Sequence, residues 1–236
     1  MTAHPSRSRR APTGSPLQIR RHPASPRTAV LLLHGGRADG LAPPTWLNLP
    51  DRRLRLFGTA LLRQLGDQDT LLACVRYRHR GWNGHHAHPA QDARDALVEL
   101  ADLVPAIPVI LVGHSMGGRA ALAVAGHPAV RGVIALAPWC PPGEAVAHLR
   151  GKTLAFLHDE TDRVTSAHQT WDFADRAAAS GAHIHTVPMR HGGHTMLHGA
   201  RRWHRLTADF ATAILDPDWR APWSTLAQLS LRTGGA

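Results

Sequence analysis

The chain has 236 residues, 43% of them hydrophobic, and a formal net charge of +10. This length fits one domain with a full core, no apolar run approaches the roughly 18 residues that span a membrane, and two cysteines are too few for a disulfide framework. The charge would suggest nucleic acid as a partner, but only one of the 27 basic residues is lysine. Residues 1–27 hold six arginines and no acid, which leaves +4 for the rest. We therefore expect neither nucleic-acid nor membrane binding, and predict a cytoplasmic protein with reduced thiols.

The two ends of the chain are predicted to lie outside the main domain. Residues 1–27 are rich in proline, arginine and serine, which is typical of a flexible basic tail, with a short strand at Leu17–Arg20. No apolar segment follows its arginines, so we expect no secretory or twin-arginine signal. Residues 216–236 are predicted to form a second tail that packs as a short helix or stays free. One domain is expected over residues 28–215.

Within that domain, short apolar segments alternate with amphipathic ones. The predicted strands are 28–36, 70–78, 109–113, 130–137, 152–158 and 182–189. The predicted helices are 51–66, with Asp51 as N-cap and Gly66 as stop, 90–103, 116–125, a short one near 143–149, 166–180 and 197–215. Six strands that alternate with helices predict an α/β fold, a mostly parallel sheet covered on both faces. Ligands bind such sheets at the carboxyl ends of the strands.

A serine follows one of these strands directly. The loop after 109–113 reads "GHSMGG", in which glycines flank Ser115 before a helix of small residues begins. A serine on such a sharp strand-to-helix turn has its hydroxyl pushed out into the site. The motif alone is weak, but its position between a strand and a helix makes a nucleophile the favoured interpretation over a simple helix cap.

Together, "GHSMGG", the upstream "LLLHGG" and the chain order Ser, Asp, His resemble the α/β-hydrolase fold family over about residues 28–215. The resemblance is to compact members without a cap, such as dienelactone-hydrolase-like enzymes and small carboxylesterases. It implies an oxyanion hole, with one backbone N–H from Gly36 or its neighbour Arg37 and the other from Met116. It also implies a Ser-His-Asp mechanism that needs no cofactor.

The acid and the base are expected after late strands. "HDETDRV" offers Asp159, Glu160 and Asp162; the family's acid turn is similar to Asp162 with its following Arg-Val, and Asp159 is the alternative. "MRHGGHTMLHG", after the last strand, offers three histidines at positions 191, 194 and 198. The resemblance assigns the general base to His194 after two glycines, with His191 in the loop and His198 in the first helical turn.

A metal site is the competing hypothesis for the histidine-rich loops. His191 and His194, or "GHHAH" at 84–88, could chelate an ion. Neither has the helical i, i+4 spacing with a nearby acid that zinc hydrolases use, and no cysteine pair assists. We therefore expect no metal.

The segments around the predicted site suggest what it accepts. Only about fourteen residues separate the strand ending at Ala137 from the next strand, so no cap domain is expected. Trp82 and Trp139 are candidates for apolar walls, and Arg76, Arg78 and Arg80 for binding a substrate carboxylate, although a solvated strand end explains these arginines equally well. Arg119 is expected to be structural.

The sequence thus predicts a serine hydrolase acting on carboxylic esters through an acyl-enzyme, with a small-molecule ester as its only expected partner. A thioesterase or peptidase-like acyl hydrolase would use the same residues. A non-catalytic ligand-binding protein on the same fold is the alternative from another functional class.

Overall fold

The continuous apolar segments of the sequence lie at the centre of a seven-stranded sheet. The computed structural model describes residues 14–45, 48–190 and 192–216. The strands are β1 (Leu17–Arg21), β2 (Thr28–Leu33), β3 (Thr70–Val75), β4 (Val109–His114), β5 (Val130–Leu136), β6 (Thr153–Asp159) and β7 (His183–Met189). Their order is β1-β3-β2-β4-β5-β6-β7. All neighbours pair in parallel except β1, which runs antiparallel to β3.

Helices cover both faces of the sheet because the central strands are apolar on both sides. The helices are α1 (Leu49–Leu65), α2 (His88–Leu103), α3 (Met116–Val124), α4 (Ala167–Ala179) and α5 (Ala200–Leu215). Along β2, Leu31 and Leu33 face a core shared with α2, α3 and α4, whereas Val30 and Leu32 face a core shared with α1 and α5. The fold class expected from the sequence is confirmed, since two-sided burial is what parallel strands require.

The sheet starts ahead of residue 28, the expected beginning of the domain. Strand β1 includes the short strand expected at Leu17–Arg20 and covers the edge of β3 over five residues. Ser15 anchors its start by donating its hydroxyl proton to Glu99 Oε2 at 2.5 Å. Residues 1–13, the rest of the expected basic tail, and residues 217–236 of the expected C-terminal tail lie outside the described residues.

Several helix boundaries differ from the sequence-based expectation; α2, for example, begins at His88 and not at residue 90. Helix α1 begins before Asp51, because Asn48 is its N-cap and accepts the N–H of Asp51. The short helix expected near 143–149 is a single 3₁₀ turn at Ala147–Leu149. Helix α5 begins only at Ala200, after Gly199 in a left-handed conformation, so His198 precedes the helix instead of lying in its first turn.

No cap domain follows β5, the strand after α3; α3 begins directly after Ser115 and is the nucleophile helix of the expected site. The segment between β5 and β6 contains just the 3₁₀ turn, and all of its residues are among those described. In the described part of the chain, the segments at the carboxyl edge of the sheet are therefore the loops that follow the strands. Across residues 14–45, 48–190 and 192–216, no helix combines the length and apolar character needed to cross a membrane.

Candidate active site

Ser115 sits on a sharp turn between β4 and α3. Its backbone has φ 56° and ψ −121°, a conformation that side-chain-bearing residues rarely adopt. Two glycines make the turn possible. A Cβ on Gly113 would lie 2.4 Å from the Gly117 carbonyl oxygen, and one on Gly117 would lie 2.0 Å from that of Leu33. The strand and the helix therefore pack too closely for any other residue at these two positions, as expected for a nucleophile elbow.

A chain of hydrogen bonds runs from Ser115 through His194 to Asp162. His194 Nε2 lies 3.0 Å from Ser115 Oγ, and His194 Nδ1 lies 2.8 Å from Asp162 Oδ2. The three residues come from loops after three different strands, β4, β6 and β7, whose carboxyl ends meet at one edge of the sheet. Such a chain fixes the imidazole with its acceptor nitrogen toward the serine hydroxyl, which is the arrangement that activates a serine.

The Asp162 carboxylate is fully buried yet held in its charged form. Burial by itself would raise the pKa of this carboxyl, but hydrogen bonds from His158, His194 and the Val164 N–H hold it well below its usual range. Thr165 adds its N–H at 3.2 Å to one oxygen and its hydroxyl at 3.0 Å to the other. The charge that orients His194 is thus fixed by several donors.

Asp159, the alternative acid, has a different position. It is 1% exposed, and one of its oxygens accepts the N–H and the hydroxyl of Thr161 at 2.9 and 2.7 Å. The other accepts the N–H of Gly193 at 2.8 Å. Asp159 therefore ties the acid loop to the backbone immediately before His194, whereas Asp162 is the carboxylate that contacts the imidazole.

Two buried histidines lie beside this chain of hydrogen bonds, and the sequence did not predict a role for either. His158 Nε2 lies 3.2 Å from Asp162 Oδ2, and its Nδ1 lies 2.9 Å from Thr170 Oγ1. His114 donates from Nε2 to the His194 carbonyl oxygen at 2.9 Å. Burial and the neighbouring His194 lower the pKa of His114 to about 3. Their only sequence signal was adjacency, His114 to the serine and His158 to the acid turn.

The loop after β2, residues 34–37, holds two of the expected oxyanion donors, Gly36 and Arg37, and we call it the oxyanion loop. A Cβ on Gly36 would meet Met116 Cε at 2.4 Å and the Arg80 carbonyl oxygen at 2.5 Å, so Gly36 lies directly against the residue after the serine. The Arg37 N–H donates to the Arg80 carbonyl oxygen at 3.0 Å. The Arg37 N–H is therefore already used within the protein, and Gly36 and Met116 are the two candidates for which no such backbone hydrogen bond is observed among the described residues.

Known proteins resemble this chain in sequence and in fold. A sequence model described as "Alpha/beta hydrolase family" matches residues 30–233, most of the chain. The chain belongs to the alpha/beta hydrolase family. No protein in a search of curated sequences matches it.

Solved structures share the fold of this alpha/beta hydrolase at low sequence identity. An alpha/beta hydrolase enzyme from a Medee basin deep-sea metagenome library is 17% identical, with a TM-score of 0.62 over 81% of this chain and 86% of that one. A serine hydrolase without a lid from Xanthomonas campestris is 15% identical, with a TM-score of 0.55 over 84% of both chains. A putative alpha/beta hydrolase from Agrobacterium tumefaciens is 14% identical, with a TM-score of 0.64 over 87% and 94%.

In this alpha/beta hydrolase, two of the expected substrate-binding residues are structural. The guanidinium of Arg78 pairs with the buried carboxylate of Asp92, which also accepts the Arg78 N–H at 2.9 Å. Arg78 therefore fixes the loop after β3 to α2 and is not a free cation. Trp82 is 4% exposed and offers little surface to a ligand.

Arg119, which we expected to be structural, lies between Trp82 and Trp139. Its guanidinium lies 3.9 Å from the centre of the Trp82 ring and 4.4 Å from that of Trp139, and it pairs with Glu144. Trp139 is half-buried. The stacked side chains brace the nucleophile helix against the loops around it.

Arg80 is the expected substrate-binding residue that faces a cleft. It lines a cavity of about 320 Å³ together with His34, Gly36, Arg37 and Asn48. Arg76 lies in an adjoining cavity of about 330 Å³ that shares His34 and Asn48. The oxyanion loop therefore forms one wall of an open cleft in this alpha/beta hydrolase.

The histidine-rich loops show no metal-binding arrangement where they are described. In residues 14–45, 48–190 and 192–216 no three histidine, cysteine or acidic side chains are grouped to hold an ion. His85 and His86 lie in an exposed 3₁₀ turn with their rings 4.1 Å apart. His191 lies outside the described residues.

Proposed function

We propose that the protein is a serine hydrolase that cleaves small carboxylic esters through an acyl-enzyme intermediate. The observation that carries the proposal is the hydrogen-bonded chain in which His194 Nε2 lies 3.0 Å from Ser115 Oγ and Nδ1 lies 2.8 Å from Asp162. Membership of the alpha/beta hydrolase family supports hydrolysis as the reaction class.

In the first half-reaction, Ser115 Oγ attacks the ester carbonyl carbon while its proton passes to His194 Nε2. Asp162 holds the imidazole in the tautomer with its N–H at Nδ1 and stabilises the imidazolium that forms. The same proton then passes to the leaving alcohol as the carbon–oxygen bond breaks. Ser115 is left as an ester of the substrate acid, and His194 is neutral again.

In the second half-reaction, a water molecule takes the position that the alcohol has left. His194 removes a proton from this water as its oxygen attacks the acyl carbon. The bond from the acyl carbon to Ser115 Oγ then breaks, the imidazolium returns the proton to Oγ, and the carboxylic acid leaves. In both halves the carbonyl oxygen becomes an oxyanion, for which we propose the N–H groups of Gly36 and Met116 as donors. Each such donor contributes about 10²–10³ in rate.

A small acyl group is favoured over a long one because the described residues form no cap over the site. The short connection between β5 and β6 leaves no cap that would enclose a long chain, and the cavity beside the oxyanion loop is small. We also propose a cytoplasmic location, supported by Cys74 and Cys140, which are buried free thiols.

A fluorophosphonate probe tests the nucleophile. The wild-type protein should be labelled and Ser115→Ala should not, whereas Ser180→Ala, a serine at the end of α4, should be labelled like wild type. 4-Nitrophenyl esters from acetate to decanoate then measure turnover and acyl-chain preference. A folded wild-type protein that neither labels nor hydrolyses any of these esters would be a ligand-binding protein on this fold, and the proposal would be wrong.

The leaving group is tested separately. Matched acetyl esters, thioesters and anilides measure whether the ester is the preferred substrate. A higher kcat/KM for the thioester or the anilide, after correction for its reactivity toward hydroxide, would replace the carboxylesterase by a thioesterase or a peptidase-like hydrolase. His194→Ala should abolish turnover of all three substrates.

A further inference from the structure

The cavity beside the oxyanion loop is lined by two cations. Arg37 and Arg80 both contribute to its wall, next to Gly36, one of the two proposed oxyanion donors. We propose that this cavity is a carboxylate-binding subsite, so that the preferred substrates are esters with a negatively charged group near the scissile bond. This inference rests on the proposed function, because it names the substrate class of the same site.

Neither of these two arginines is neutralised by an acidic side chain of the described residues. Within residues 14–45, 48–190 and 192–216, no carboxylate pairs with Arg37 or Arg80. Five arginines elsewhere in that part of the chain lie within 4.0 Å of a carboxylate: Arg20, Arg21, Arg55, Arg78 and Arg119. Both unpaired guanidinium groups therefore remain available to an anion in the cleft.

The two arginines lie on two neighbouring loops, residues 37–42 and residues 80–83, which we call the paired loops. Backbone hydrogen bonds join the two loops. The Arg37 N–H donates to the Arg80 carbonyl oxygen at 3.0 Å, and the Trp82 N–H donates to the Arg37 carbonyl oxygen at 2.9 Å. The Gly81 N–H donates to Gly40 at 3.0 Å. The paired loops thus extend the sheet beyond the ends of β2 and β3.

Side-chain contacts tighten the paired loops further. Asn83 Oδ1 accepts the Gly40 N–H at 2.8 Å, and a Cβ on Gly81 would lie 2.3 Å from the Gly40 nitrogen. The two backbones touch at glycines that no larger residue could replace without moving one loop. A rigid base of this kind lowers the entropy lost when Arg37 and Arg80 bind a ligand.

The Arg80 side chain has a defined course across the paired loops. A Cβ on Gly40 would lie 2.9 Å from both Cγ and Nε of Arg80, so the stem of Arg80 lies directly on the bare backbone of Gly40. Gly40 has φ +147°, a conformation that favours glycine. The stem of Arg80 therefore packs against Gly40, which limits the positions open to its guanidinium.

Two planar guanidinium groups favour a carboxylate as the ligand. Each presents a fork of N–H donors that matches the two oxygens of a carboxylate, and the bonds are charge-assisted. Asn48 and Thr45, which line the cavity with the arginines, carry no negative charge that would repel it. Asp39 of the paired loops is exposed and does not line the cavity. Asp51, the acid of the adjoining cavity, is paired with Arg55.

Two pairs of esters test the inference and locate the charge. Mono-(4-nitrophenyl) glutarate against 4-nitrophenyl pentanoate places the charge in the acyl part, and 3-acetoxybenzoate against phenyl acetate places it in the leaving group. We expect wild-type kcat/KM, corrected for hydroxide reactivity, to favour the charged member of one pair by about tenfold or more. Raising NaCl from about 0.05 to about 0.5 M should reduce this preference.

Variants assign the preference to the two arginines. Arg80→Gln and Arg37→Gln should each lower kcat/KM for the charged ester by about tenfold and leave the neutral ester within about twofold, which also shows that the variant is folded. Arg80→Lys should be intermediate, since it keeps the charge without the fork. Arg131→Gln removes an exposed arginine from β5 and should change neither ester.

The results separate this inference from the proposed function. Turnover of neutral esters with no preference for either charged one would overturn the carboxylate subsite and leave the esterase standing. A preference that Arg80→Gln and Arg37→Gln both retain would also overturn it. No labelling and no turnover of any ester would instead be a failure of the proposed function.

Discussion

His158 Nε2 lies 3.2 Å from Asp162 Oδ2, the same carboxylate oxygen that lies 2.8 Å from His194 Nδ1. One oxygen atom therefore serves two imidazoles. His158 is fully buried and has Thr170 Oγ1 2.9 Å from its other nitrogen, so its ring is held in place from both ends. We interpret His158 as a positioning residue. Its hydrogen bond to Asp162 weakens the attraction of that carboxylate for a protonated His194.

Removing the His158 donor should move the pH profile of the enzyme. In His158→Leu the Asp162 carboxylate loses one hydrogen-bond donor, so it attracts the His194 imidazolium more strongly and stabilises it. The acid limb of kcat/KM for 4-nitrophenyl acetate should then shift to higher pH by about half a unit or more. His158→Gln, whose amide nitrogen can take the place of Nε2, should show a smaller shift. A uniform loss of activity with an unmoved acid limb would mean that His158 only fills space.

Asp159→Asn should lower activity, but much less than Asp162→Asn, because Asp159 does not contact the imidazole of His194. The amide group cannot accept from both Thr161 and Gly193, so the backbone before His194 loses one charge-assisted hydrogen bond. We expect kcat to fall about tenfold with little change in KM, and the free energy of unfolding to fall by about 1–3 kcal/mol. Asp162→Asn should cost about 10⁴ in kcat. Steady-state kinetics that reversed this order would restore Asp159 as the acid.

Gly36→Ala should reduce transition-state stabilisation. The added methyl group would meet the Arg80 carbonyl oxygen at 2.5 Å, so the loop must move away from Ser115 and take its N–H with it. We expect kcat to fall by about 10²–10³ while fluorophosphonate labelling becomes slower. Gly126→Ala, where the nearest atom is His148 Cβ at 3.2 Å, is a control outside the cleft. Equal kinetics in both variants would exclude Gly36 as a donor.

Acid should destabilise the protein partly through His114. Its folded-state pKa of about 3 lies below the usual 6.5 because of burial and the neighbouring His194; Arg53 and Asp162 also act on it. Between pH 6.5 and 3 the unfolded chain binds the proton and the folded one does not, so stability falls as the pH falls. Urea unfolding at pH 7, 6, 5 and 4 should show, for His114→Gln, a slope shallower than that of wild type by up to about 1.4 kcal/mol per pH unit. Parallel curves would contradict this. Burial also lowers the pKa of His34, but His34 is present in both proteins, so the difference isolates His114.

Much of the fold and the central residues of the candidate site could be predicted because their signals are local. A strand buried on both faces appears as an unbroken apolar segment, and counting such segments places Ser115, Asp162 and His194 in loops at one edge. Asp162 could be preferred over Asp159 only through the resemblance, because both carboxylates lie in one short loop. Which of the two points at His194 depends on turn geometry.

Contacts between distant segments could not be predicted. Arg78 resembled a free cation because its partner Asp92 lies 14 residues away on α2. Asn48 caps α1 through a side chain that also lies 3.2 Å from His34, a contact that no local pattern contains. The donor expected from Arg37 is used by Arg80, since the loops after β2 and β3 pair with each other.

Strand β1 also determines where this protein can be shortened. A truncated chain that began at residue 28 would leave one side of β3 without partners, and every residue of β3 is buried in the intact fold. Such an uncovered apolar edge is a template for pairing between molecules. β1 is itself only five residues long and carries Arg20 and Arg21, so the natural edge is short and charged. Residues 14–27 thus replace the apolar edge of β3 by a short, charged one.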